Sequence, residues 1–370
     1  MIGNTSISTL IITGGHHTSA LALAEQLTKD GWQIIWLGHR HSQWHDKSDS
    51  AEFNEVTASG LEFINLKAGK LYRTYHPLKL LRIPWGFIQA FWIIFNLKIK
   101  LGKNLKGVIT FGGYLGVPVV VCAWLFHIPC IAHEQTVIAG WANKIISFFV
   151  KKIAVSWQSS ISHYPKEKVV LTGLPFRSQV IQIYKKHLPR IRNMIYITGG
   201  KQGSHIINQV IFEILPQLLK NYQVIHQTGS STVFSDYQTA LRIKASLPAD
   251  ICEKYQIAEY YPADKAAEYL ATVDVVISRS GAHIVQELML FGTKSVLIPI
   301  SWASHNEQSE NAKLLTKNKL AIFLPESQLN GTSLTEAIRQ AQALKAIPLK
   351  VSTNGLLQLV GLVRQEFGNP

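Results

Sequence analysis

The sequence predicts an α/β protein with two doubly wound domains in tandem. The chain has 370 residues, more than a single hydrophobic core usually supports. Short β-branched runs alternate with helical patterns along it, as is typical of βαβ units with a parallel sheet. One pattern, a strand followed by Thr-Gly-Gly, a polar loop and a helix, occurs near the start of the chain and again beyond its middle.

The first series of strands and helices occupies the N-terminal half. Its opening stretch, LIITGGHHTSALALAEQL, passes from an apolar run through two glycines and two histidines into a helix. Apolar, β-branched composition predicts strands at Ile7–Thr13, Gln33–Leu37, Gly107–Phe111, Ile128–Ala132 and Ile153–Ser156.

The second series follows a polar and basic interval, RSQVIQIYKKHLPRIRN, which is a candidate linker. It opens with MIYITGGKQGSHIINQVIFEIL, and further strands are expected at Tyr222–Gln227, Gln256–Tyr260, Val273–Ser278 and Lys294–Pro299. We therefore predict two Rossmann-like domains, residues 1–176 and 177–370, with the option that the last helix packs back on the first. Such domains bind ligands at the carboxyl ends of their strands, so facing domains would share a central cleft.

Composition limits the partners and the compartment. The formal charge of +14 attracts nucleic acid, anionic lipid or phosphorylated substrates. The three cysteines have neither metal-ligand spacing nor an even number, which favours a reducing compartment. No export signal is recognisable at the N-terminus, and the apolar run Trp85–Leu97 is shorter than the ~20 residues of a spanning helix. We expect a soluble or peripheral protein.

The second half contains three polar loops that follow strands. GGKQGS, Gly199–Ser204, is a glycine turn before a helix, which suits an anion such as a diphosphate. SRSGAHIVQEL carries Glu287 two turns along a helix, where its carboxylate could accept two ribose hydroxyls. HNEQSENA supplies Glu307 and Gln308, which are suited to sugar hydroxyls. Taken singly, each stretch is more typical of an ordinary feature than of a site: a tight turn, a solvated carboxylate or a polar loop.

The first half has polar residues at the corresponding positions. FGGYLGVPVVVCAW is a second glycine turn before a helix, and AHEQTVIAGWANK places titratable residues just past an apolar strand. Polar groups at the ends of buried strands are costly unless satisfied, so they indicate a site. No Asp-X-Asp pair follows any predicted strand, so the usual carboxylate clamp for a metal-bound nucleotide diphosphate is missing from the sequence.

As an ordered set, FGGYLGVP, IPCIAHEQ, AGWANK, GGKQGS and SRSGA resemble the MurG family of bacterial N-acetylglucosaminyltransferases. The resemblance runs from about Thr9 to Ala312. It implies the GT-B glycosyltransferase fold, with the nucleotide sugar held mainly by the C-terminal half and with neither metal nor cofactor.

The resemblance also implies roles for individual residues. Arg177 and the glycine loop would face the UDP phosphates, Glu287 the ribose, and Glu307 with Gln308 the N-acetylglucosamine. The implied donor-binding residues are Arg177, Gly200, Lys201, Gln202, Gly203, Ser280, Gly281, Glu287, Glu307 and Gln308. The implied acceptor-binding residues are Gly14, Gly15, Gly112, Gly113, Tyr114, His133, Gln135, Thr136 and Asn143.

The resemblance implies His16 as the catalytic residue, because a neutral imidazole beside the acceptor could take the proton of an attacking hydroxyl. The alternative is a hydrogen-bonding residue at the helix start, with Glu134 as the next candidate base. His17 is expected to pack locally or to face phosphate.

The chain departs from the family pattern at several positions. Ile11 and Ile12 replace the first glycine pair of the opening loop, so the strand is expected to continue through them. Thr136 and Leu174 stand where the family has asparagine, and Lys201 where it has a small hydroxyl residue. These changes concern contacts to donor and acceptor, and not the fold.

A span from Lys67 to Lys106 mixes basic and aromatic residues and contains no acidic residue. This pattern predicts docking on an anionic membrane surface, although a buried helix with a solvated basic flank would look similar. Nucleic-acid binding is not expected, since no binding motif accompanies the span.

Together these features predict an inverting transferase that moves N-acetylglucosamine from UDP-N-acetylglucosamine to the C4 hydroxyl of lipid I. The acceptor is a polyprenyl-pyrophosphate-linked muramoyl peptide, and the product, lipid II, serves peptidoglycan synthesis. The expected location is peripheral, on the cytoplasmic face of the bacterial cell membrane. Three alternatives remain open at this stage: a UDP-hexose:diacylglycerol transferase, a UDP-N-acetylglucosamine 2-epimerase and a catalytically silent membrane scaffold.

Overall fold

The computed structural model describes residues 7–41, 49–69, 82–231, 233–300, 306–347 and 351–370. The chain divides into two compact units. The first consists of Met1–Arg177 together with Ser352–Pro370, and the second of Ser178–Val351.

The first unit is built on a seven-stranded parallel sheet with the order β3-β2-β1-β4-β5-β6-β7. The strands are β1 Thr9–Thr13, β2 Gln33–Gly38, β3 Glu62–Asn65, β4 Leu105–Thr110, β5 Cys130–Glu134, β6 Lys152–Val155 and β7 Val169–Leu171. Its helices, up to the unit boundary, are α1 His17–Lys29, α2 Ala51–Ala58, α3 Arg82–Leu101, α4 Gly113–Leu125 and α5 Trp141–Phe149.

The second unit is built on a six-stranded parallel sheet with the order β10-β9-β8-β11-β12-β13. The strands are β8 Ile191–Thr198, β9 Gln223–Gln227, β10 Tyr255–Ala258, β11 Val273–Ser278, β12 Lys294–Leu297 and β13 Ala321–Phe323. The helices are α6 Ser178–Lys185, α7 His205–Asn221, α8 Asp236–Ser246, α9 Ala249–Cys252, α10 Ala263–Thr272, α11 Ala282–Phe291, α12 Glu307–Lys317 and α13 Gly331–Ala343.

The central strands are buried on both faces, which explains their continuous apolar sequences. In β1 the side chains alternate between two cores: Ile11 packs in one, while Leu10 and Ile12 pack in the other. Ile11 and Ile12 therefore continue the strand, as expected from the departure at the opening loop.

The last helix, α14, spans Gly355–Phe367 and belongs to the first unit. Leu359 and Val363 of this helix join the core that contains Leu10 and Ile12. Arg364 adds an ion pair at the surface, with an NH2–Oδ2 distance of 2.9 Å to Asp30. The chain thus returns to its first unit after completing the second.

Every strand that the sequence predicts is present, with ends that differ by up to two residues and Val273–Ser278 unchanged. Three further strands, β3, β7 and β13, were missed by sequence reasoning. Each is an edge strand of three or four residues and is partly exposed, so it lacks the buried apolar run by which strands were recognised.

The strand orders place a topological switch point in each sheet. The chain moves outward from β1 through β2 to β3 and then returns to place β4 beside β1. In the second sheet it moves outward from β8 and returns to place β11 beside β8. Ligands of doubly wound domains bind outside the carboxyl ends of the strands at such points.

Arg190 holds together the ends of two helices in the second unit. Its NH1 donates to Leu270 O at 2.8 Å and Val273 O at 3.0 Å, near the end of α10. Its NH2 donates to Phe291 O at 2.6 Å and the Thr293 hydroxyl at 2.8 Å, at the end of α11. Burial lowers the pKa of the guanidinium to about 10, so it stays charged at neutral pH and offsets both helix dipoles.

Arg190→Ala is predicted to lower the free energy of unfolding by at least about 2 kcal/mol, because four acceptors lose a charged donor. Urea unfolding followed by circular dichroism measures the change. The matched control is Arg192→Ala, an exposed position two residues further along the chain in β8, which should shift stability by no more than about 0.5 kcal/mol. Equal effects of the two variants would contradict the role of Arg190.

Candidate active site

Two glycine turns pack against each other at the switch point of the first sheet. One follows β1 and contains Gly14 and Gly15; the other follows β4 and contains Gly112 and Gly113. Gly15 N donates to Gly112 O at 3.0 Å, and a Cβ on Gly113 would lie 3.0 Å from Gly15 N. Gly14 has φ +134, and a Cβ there would lie 2.6 Å from the backbone nitrogen of Phe111. Only glycines allow these backbones to approach so closely.

His16 lies between the first glycine turn and α1. Its Nδ1 is 3.1 Å from Phe111 O, and a carbonyl oxygen can only accept, so Nδ1 carries the hydrogen. In the neutral imidazole the lone pair is then on Nε2, the nitrogen that can take up a proton. The side chain is half-buried at the carboxyl edge of β1. This geometry is compatible with a general base.

Glu134 is buried and accepts hydrogen bonds on both carboxylate oxygens. Oε1 lies 3.0 Å from Thr136 N and 2.7 Å from the Thr136 hydroxyl. Oε2 accepts from Asn143 Nδ2 and from the Tyr164 hydroxyl, both at 2.8 Å, with Gly140 N at 3.4 Å. Burial and the neighbouring carboxylate raise the pKa of Tyr164 far above its usual range. Glu134 therefore anchors the segment that leads into α5.

His133 and Gln135 are also buried. His133 Nε2 lies 3.5 Å from Gly173 O and 3.4 Å from the Ser156 hydroxyl, and burial lowers the pKa of His133 to about 4. The histidine is therefore neutral at pH 7. Gln135 Oε1 accepts from the Ser19 hydroxyl at 2.9 Å. These side chains fix the interior behind the glycine turns.

The surface of this first site consists of fewer residues than the sequence suggested. Gly15 is exposed, and His16, Gly113 and Tyr114 are partly buried. The other predicted residues are buried: Gly14, Gly112, His133, Glu134, Gln135, Thr136 and Asn143. The Tyr114 ring packs on His39, with ring centroids 5.5 Å apart, and burial lowers the pKa of His39. Sequence reasoning missed His39, although its place directly after β2 could have indicated it.

The second site lies at the switch point of the second sheet. Thr198 of β8 and Ser278 of β11 are paired in register, so GGKQGS and SRSGA leave neighbouring strands at the same edge. Gly203, at φ +81, packs so tightly on the turn after β9 that a Cβ would collide with Thr228 O. That turn also holds the loop through a hydrogen bond from Ser230 N to Lys201 O at 3.0 Å.

Two helices begin at these loops. α7, of 17 residues, starts directly after Ser204, and α11, of 10 residues, starts directly after Gly281. Helix N-termini present unpaired N–H groups and a positive dipole end. The buried Ser204 Oγ has no hydrogen-bond partner within the part of the chain that the structure describes. Gly200 and Gln202 are exposed beside it, and Lys201 is half-buried. The edge suits an anion with several oxygens.

The remaining predicted donor residues are linked to this edge by hydrogen bonds. The Ser280 hydroxyl donates to Gln308 O at 2.8 Å, and Asn311 Nδ2 donates to Ser280 O at 3.2 Å. Gln308 Oε1 accepts from Ile300 N at 3.1 Å, which fixes the start of α12 next to Glu307. Ser280, Gly281, Glu307 and Gln308 thus lie together, whereas residues 301–305, including His305 of the HNEQSENA stretch, lie outside the described residues.

Glu287 and Arg177 each have a titratable neighbour. Glu287, on α11, is partly exposed, and one of its oxygens is 4.0 Å from His283 Nδ1. Arg177 is the last residue of the N-terminal segment of the first unit, and its NH2 lies 2.7 Å from Glu55 Oε2 of α2. The sequence did not predict this ion pair. No group of three or more His, Cys, Asp or Glu side chains within the described ranges is arranged to hold a metal.

Comparison with known families identifies the chain. The model of the glycosyltransferase family 28 N-terminal domain matches residues 9–155, and that of the C-terminal domain matches residues 194–355. The chain belongs to glycosyltransferase family 28. The predicted family and the predicted glycosyltransferase class are thereby confirmed.

Curated relatives of this family 28 chain carry the full name of MurG. One, from Bacillus cereus, is UDP-N-acetylglucosamine--N-acetylmuramyl-(pentapeptide) pyrophosphoryl-undecaprenol N-acetylglucosamine transferase 2; it is 30% identical over 90% of each chain. A second relative, from Desulfitobacterium hafniense, has the same name without the final 2. It is 32% identical, and the match covers 87% of this chain and 86% of the relative.

Solved structures confirm the fold of this family 28 protein. MurG of Acinetobacter baumannii superposes with a TM-score of 0.62 at 23% identity, covering 97% of this chain and 99% of its own. A UDP-GlcNAc 2-epimerase from Neisseria meningitidis superposes with a TM-score of 0.59 at 10% identity, covering 97% of this chain and all of its own. At these identities the likeness concerns the fold alone, two parallel-sheet α/β domains of the GT-B type.

Glu134→Gln is predicted to destabilise this family 28 enzyme by roughly 3 kcal/mol, because the new amide group would face hydrogen-bond donors in a buried site. Chemical denaturation measures the loss. Tyr164→Phe, which removes a single donor to the same carboxylate, should cost less. Wild-type stability of the glutamine variant would show that Glu134 is not an anchor.

Proposed function

We propose that this family 28 enzyme transfers N-acetylglucosamine from UDP-N-acetylglucosamine to the C4 hydroxyl of lipid I, forming lipid II. The observation that carries the proposal is the convergence of GGKQGS and SRSGA, each opening a helix, at the switch point between β8 and β11. The names of the relatives, at 30–32% identity over most of the chain, support this donor and this acceptor.

The donor is proposed to bind to the second unit. The N-termini of α7 and α11, together with Lys201, Gln202 and the Ser204 hydroxyl, would meet the diphosphate. Glu287 would accept the ribose hydroxyls, and Glu307 with Gln308 would contact the N-acetylglucosamine. Arg177 would add a cation at the diphosphate. Developing charge on the departing UDP would be stabilised by these fixed dipoles and cations without a metal ion.

The acceptor is proposed to bind to the first unit, over the glycine turns and Tyr114. His133, Gln135, Thr136 and Asn143 would support this surface from within, in keeping with their burial. The C4 oxygen would attack the anomeric carbon from the face opposite UDP, so the new C–O bond forms as the bond to UDP breaks and the configuration inverts. The hydroxyl proton would pass to His16 Nε2, the nitrogen that the contact to Phe111 leaves unprotonated.

A membrane-facing surface on the first unit is also proposed. Within the described residues, no helix is long and apolar enough to span a bilayer. Large apolar side chains are nevertheless exposed on three successive helices of the first unit that pack side by side, and this set is here called the aromatic face. Its members are Trp85, Ile88 and Trp92 on α3, Trp124 and Leu125 on α4, and Trp141, Ile145 and Phe148 on α5.

Ring contacts join the helices that carry the aromatic face. The ring centroids of Phe91 in α3 and Phe126, which directly follows α4, are 5.0 Å apart. Those of Trp124 in α4 and Phe149 in α5 are 5.3 Å apart. Lys98, Lys100 and Lys144 lie on the same helices, and apolar rings beside cations suit an anionic bilayer surface.

The sequence anticipated α3 in this role but not α5. Of the predicted span, residues 70–81 lie outside the described residues, as does the side chain of Arg82. We propose that the protein docks peripherally on the cytoplasmic side of the cell membrane through the aromatic face.

Incubation with UDP-N-acetylglucosamine and lipid I in excess chelator tests the proposed reaction. Release of UDP together with lipid II is expected. Parallel reactions replace lipid I with diacylglycerol or omit any acceptor. Transfer to diacylglycerol alone would replace the proposed function with that of a diacylglycerol transferase. Conversion of the nucleotide sugar to its 2-epimer without an acceptor would replace it with that of a 2-epimerase.

His16→Ala is predicted to lower turnover by ~10²–10⁴-fold and to leave UDP affinity nearly unchanged, because base catalysis acts in the transition state. Steady-state kinetics and calorimetry with UDP measure the two effects. His16→Asn is the matched variant, since its amide can donate to Phe111 O but cannot take up a proton. Near-normal turnover of the Asn variant would remove His16 from the catalytic role.

Trp92→Ser combined with Phe148→Ser is predicted to weaken binding to anionic vesicles by at least about tenfold, because each side chain contributes ~1.5–3 kcal/mol when fully buried. Vesicle flotation measures the bound fraction. The control is Leu357→Ser on α14, which is 66% exposed, compared with 78% for Phe148, and lies outside the aromatic face. Equal retention of the double variant and the control would place the docking surface elsewhere.

A further inference from the structure

A buried glutamine lies beneath the glycine loop of the second unit. Gln227 is the last residue of β9 and is 4% exposed, and the proposed reaction does not use it. It is paired in register with Thr198, the last residue of β8, from which the GGKQGS loop departs. The glutamine side chain is therefore at the inner side of the loop that is proposed to meet the diphosphate.

Every hydrogen-bonding position of the Gln227 amide is occupied. Nε2 donates to the Thr198 hydroxyl and to Gly200 O, both at 3.0 Å. Oε1 accepts from Tyr261 N at 3.0 Å and from the Tyr196 hydroxyl at 3.3 Å. A backbone carbonyl can only accept and a backbone N–H can only donate, so these partners assign the orientation of the amide. Burial raises the pKa of Tyr196 far above its usual range, and its hydroxyl therefore keeps the proton that it donates.

The bond from Gln227 determines the direction of one peptide group in the loop. Gly200 has φ +88, in the left-handed region where glycine has little steric preference of its own. Its carbonyl accepts from Gln227 Nε2 and also from Gly203 N at 3.1 Å, and its N–H donates to the Thr198 hydroxyl at 3.0 Å. Hydrogen bonds, and not steric exclusion, thus hold this peptide in place.

The direction of this carbonyl matters at an anion site. A carbonyl oxygen carries partial negative charge and would repel a phosphate oxygen that it faced. Gly200 is exposed whereas Gln227 is buried, so the bond between them directs the carbonyl towards the interior. A loop that already has the shape needed for its ligand binds more tightly than one that must be reordered on binding.

We propose that Gln227 is a positioning residue for the donor: its Nε2 holds the Gly200 carbonyl inward and so keeps the glycine loop in a form that accepts the diphosphate. This inference rests on the proposed function, in which the loop Gly199–Ser204 binds the UDP phosphates. In this role Gln227 acts through the loop and contacts neither the donor nor the reacting atoms.

Gln227→Glu separates the two halves of the amide. It keeps an oxygen for Tyr261 N but replaces Nε2 by an oxygen that faces Gly200 O. The Kd for UDP and the KM for UDP-N-acetylglucosamine should rise by roughly 5–20-fold, the scale of one or two hydrogen bonds. The affinity for uridine, which lacks phosphate, and the KM for lipid I should stay within about twofold of wild type. Calorimetry measures UDP binding, and ligand-observed NMR measures uridine binding.

Two control variants test whether the Nε2 half is responsible. Tyr196→Phe removes a donor to Oε1 but leaves both Nε2 bonds, so the Kd for UDP should change by no more than about twofold. Gln223→Glu makes the same substitution at the exposed first residue of β9 and should leave the Kd unchanged. Gln227→Met, which has a similar length and no charge, should weaken UDP binding by at least about threefold.

Thermal unfolding of each variant verifies that it is folded. Normal UDP affinity in a folded Gln227→Glu or Gln227→Met variant would overturn the inference. So would equal losses of UDP and uridine affinity in Gln227→Glu, or a loss in Tyr196→Phe as large as that in Gln227→Glu, since either would mean that Gln227 only supports the fold. In these cases UDP binding by the wild-type protein would still support the proposed function, whereas its absence would overturn both.

Discussion

The contact of backbone with backbone at the carboxyl edge of each sheet is the constraint on which both candidate sites depend. In the first unit Gly15 N meets Gly112 O, and in the second Gly203 packs on the turn at Thr228. Because no side chains separate these turns, the helices that follow β1 and β8 begin directly at the sheet edge. Their positive ends are thereby directed at the switch point, where anionic ligands of doubly wound domains bind.

Behind the first of these edges, the cost of burying polar groups is met by a dense hydrogen-bond network. Glu134 has donors on both oxygens, including the backbone and hydroxyl of Thr136. Thr136 stands where the resemblance leads one to expect asparagine, and the structure accommodates the change by using the shorter side chain to satisfy Oε1. A departure from the family pattern therefore need not break the site, provided that each buried acceptor keeps a donor.

Several features escaped sequence reasoning for identifiable physical reasons. The edge strands β3, β7 and β13 are short and partly solvated, so their composition does not resemble that of the central strands. The outward direction of Trp141 and Phe148 on α5 could not be predicted, because an apolar helix face packs inward in most proteins. The pairing of Glu55 with Arg177 brings together residues far apart in the chain, and no local pattern signals it.

Local sequence patterns were sufficient to predict the βαβ alternation, the central strands and the loops that carry the candidate chemistry. Burial on both faces requires continuous apolar residues in the central strands, and tight turns require glycine and polar residues in the loops. The sequence also indicated the family, since five short motifs occur in a fixed order. Folding alone decided that the HEQT side chains are buried, that His16 Nδ1 is engaged by Phe111, and that α14 completes the first core. These outcomes depend on which distant segments pack together, a property of the three-dimensional arrangement that residue type and spacing do not encode locally.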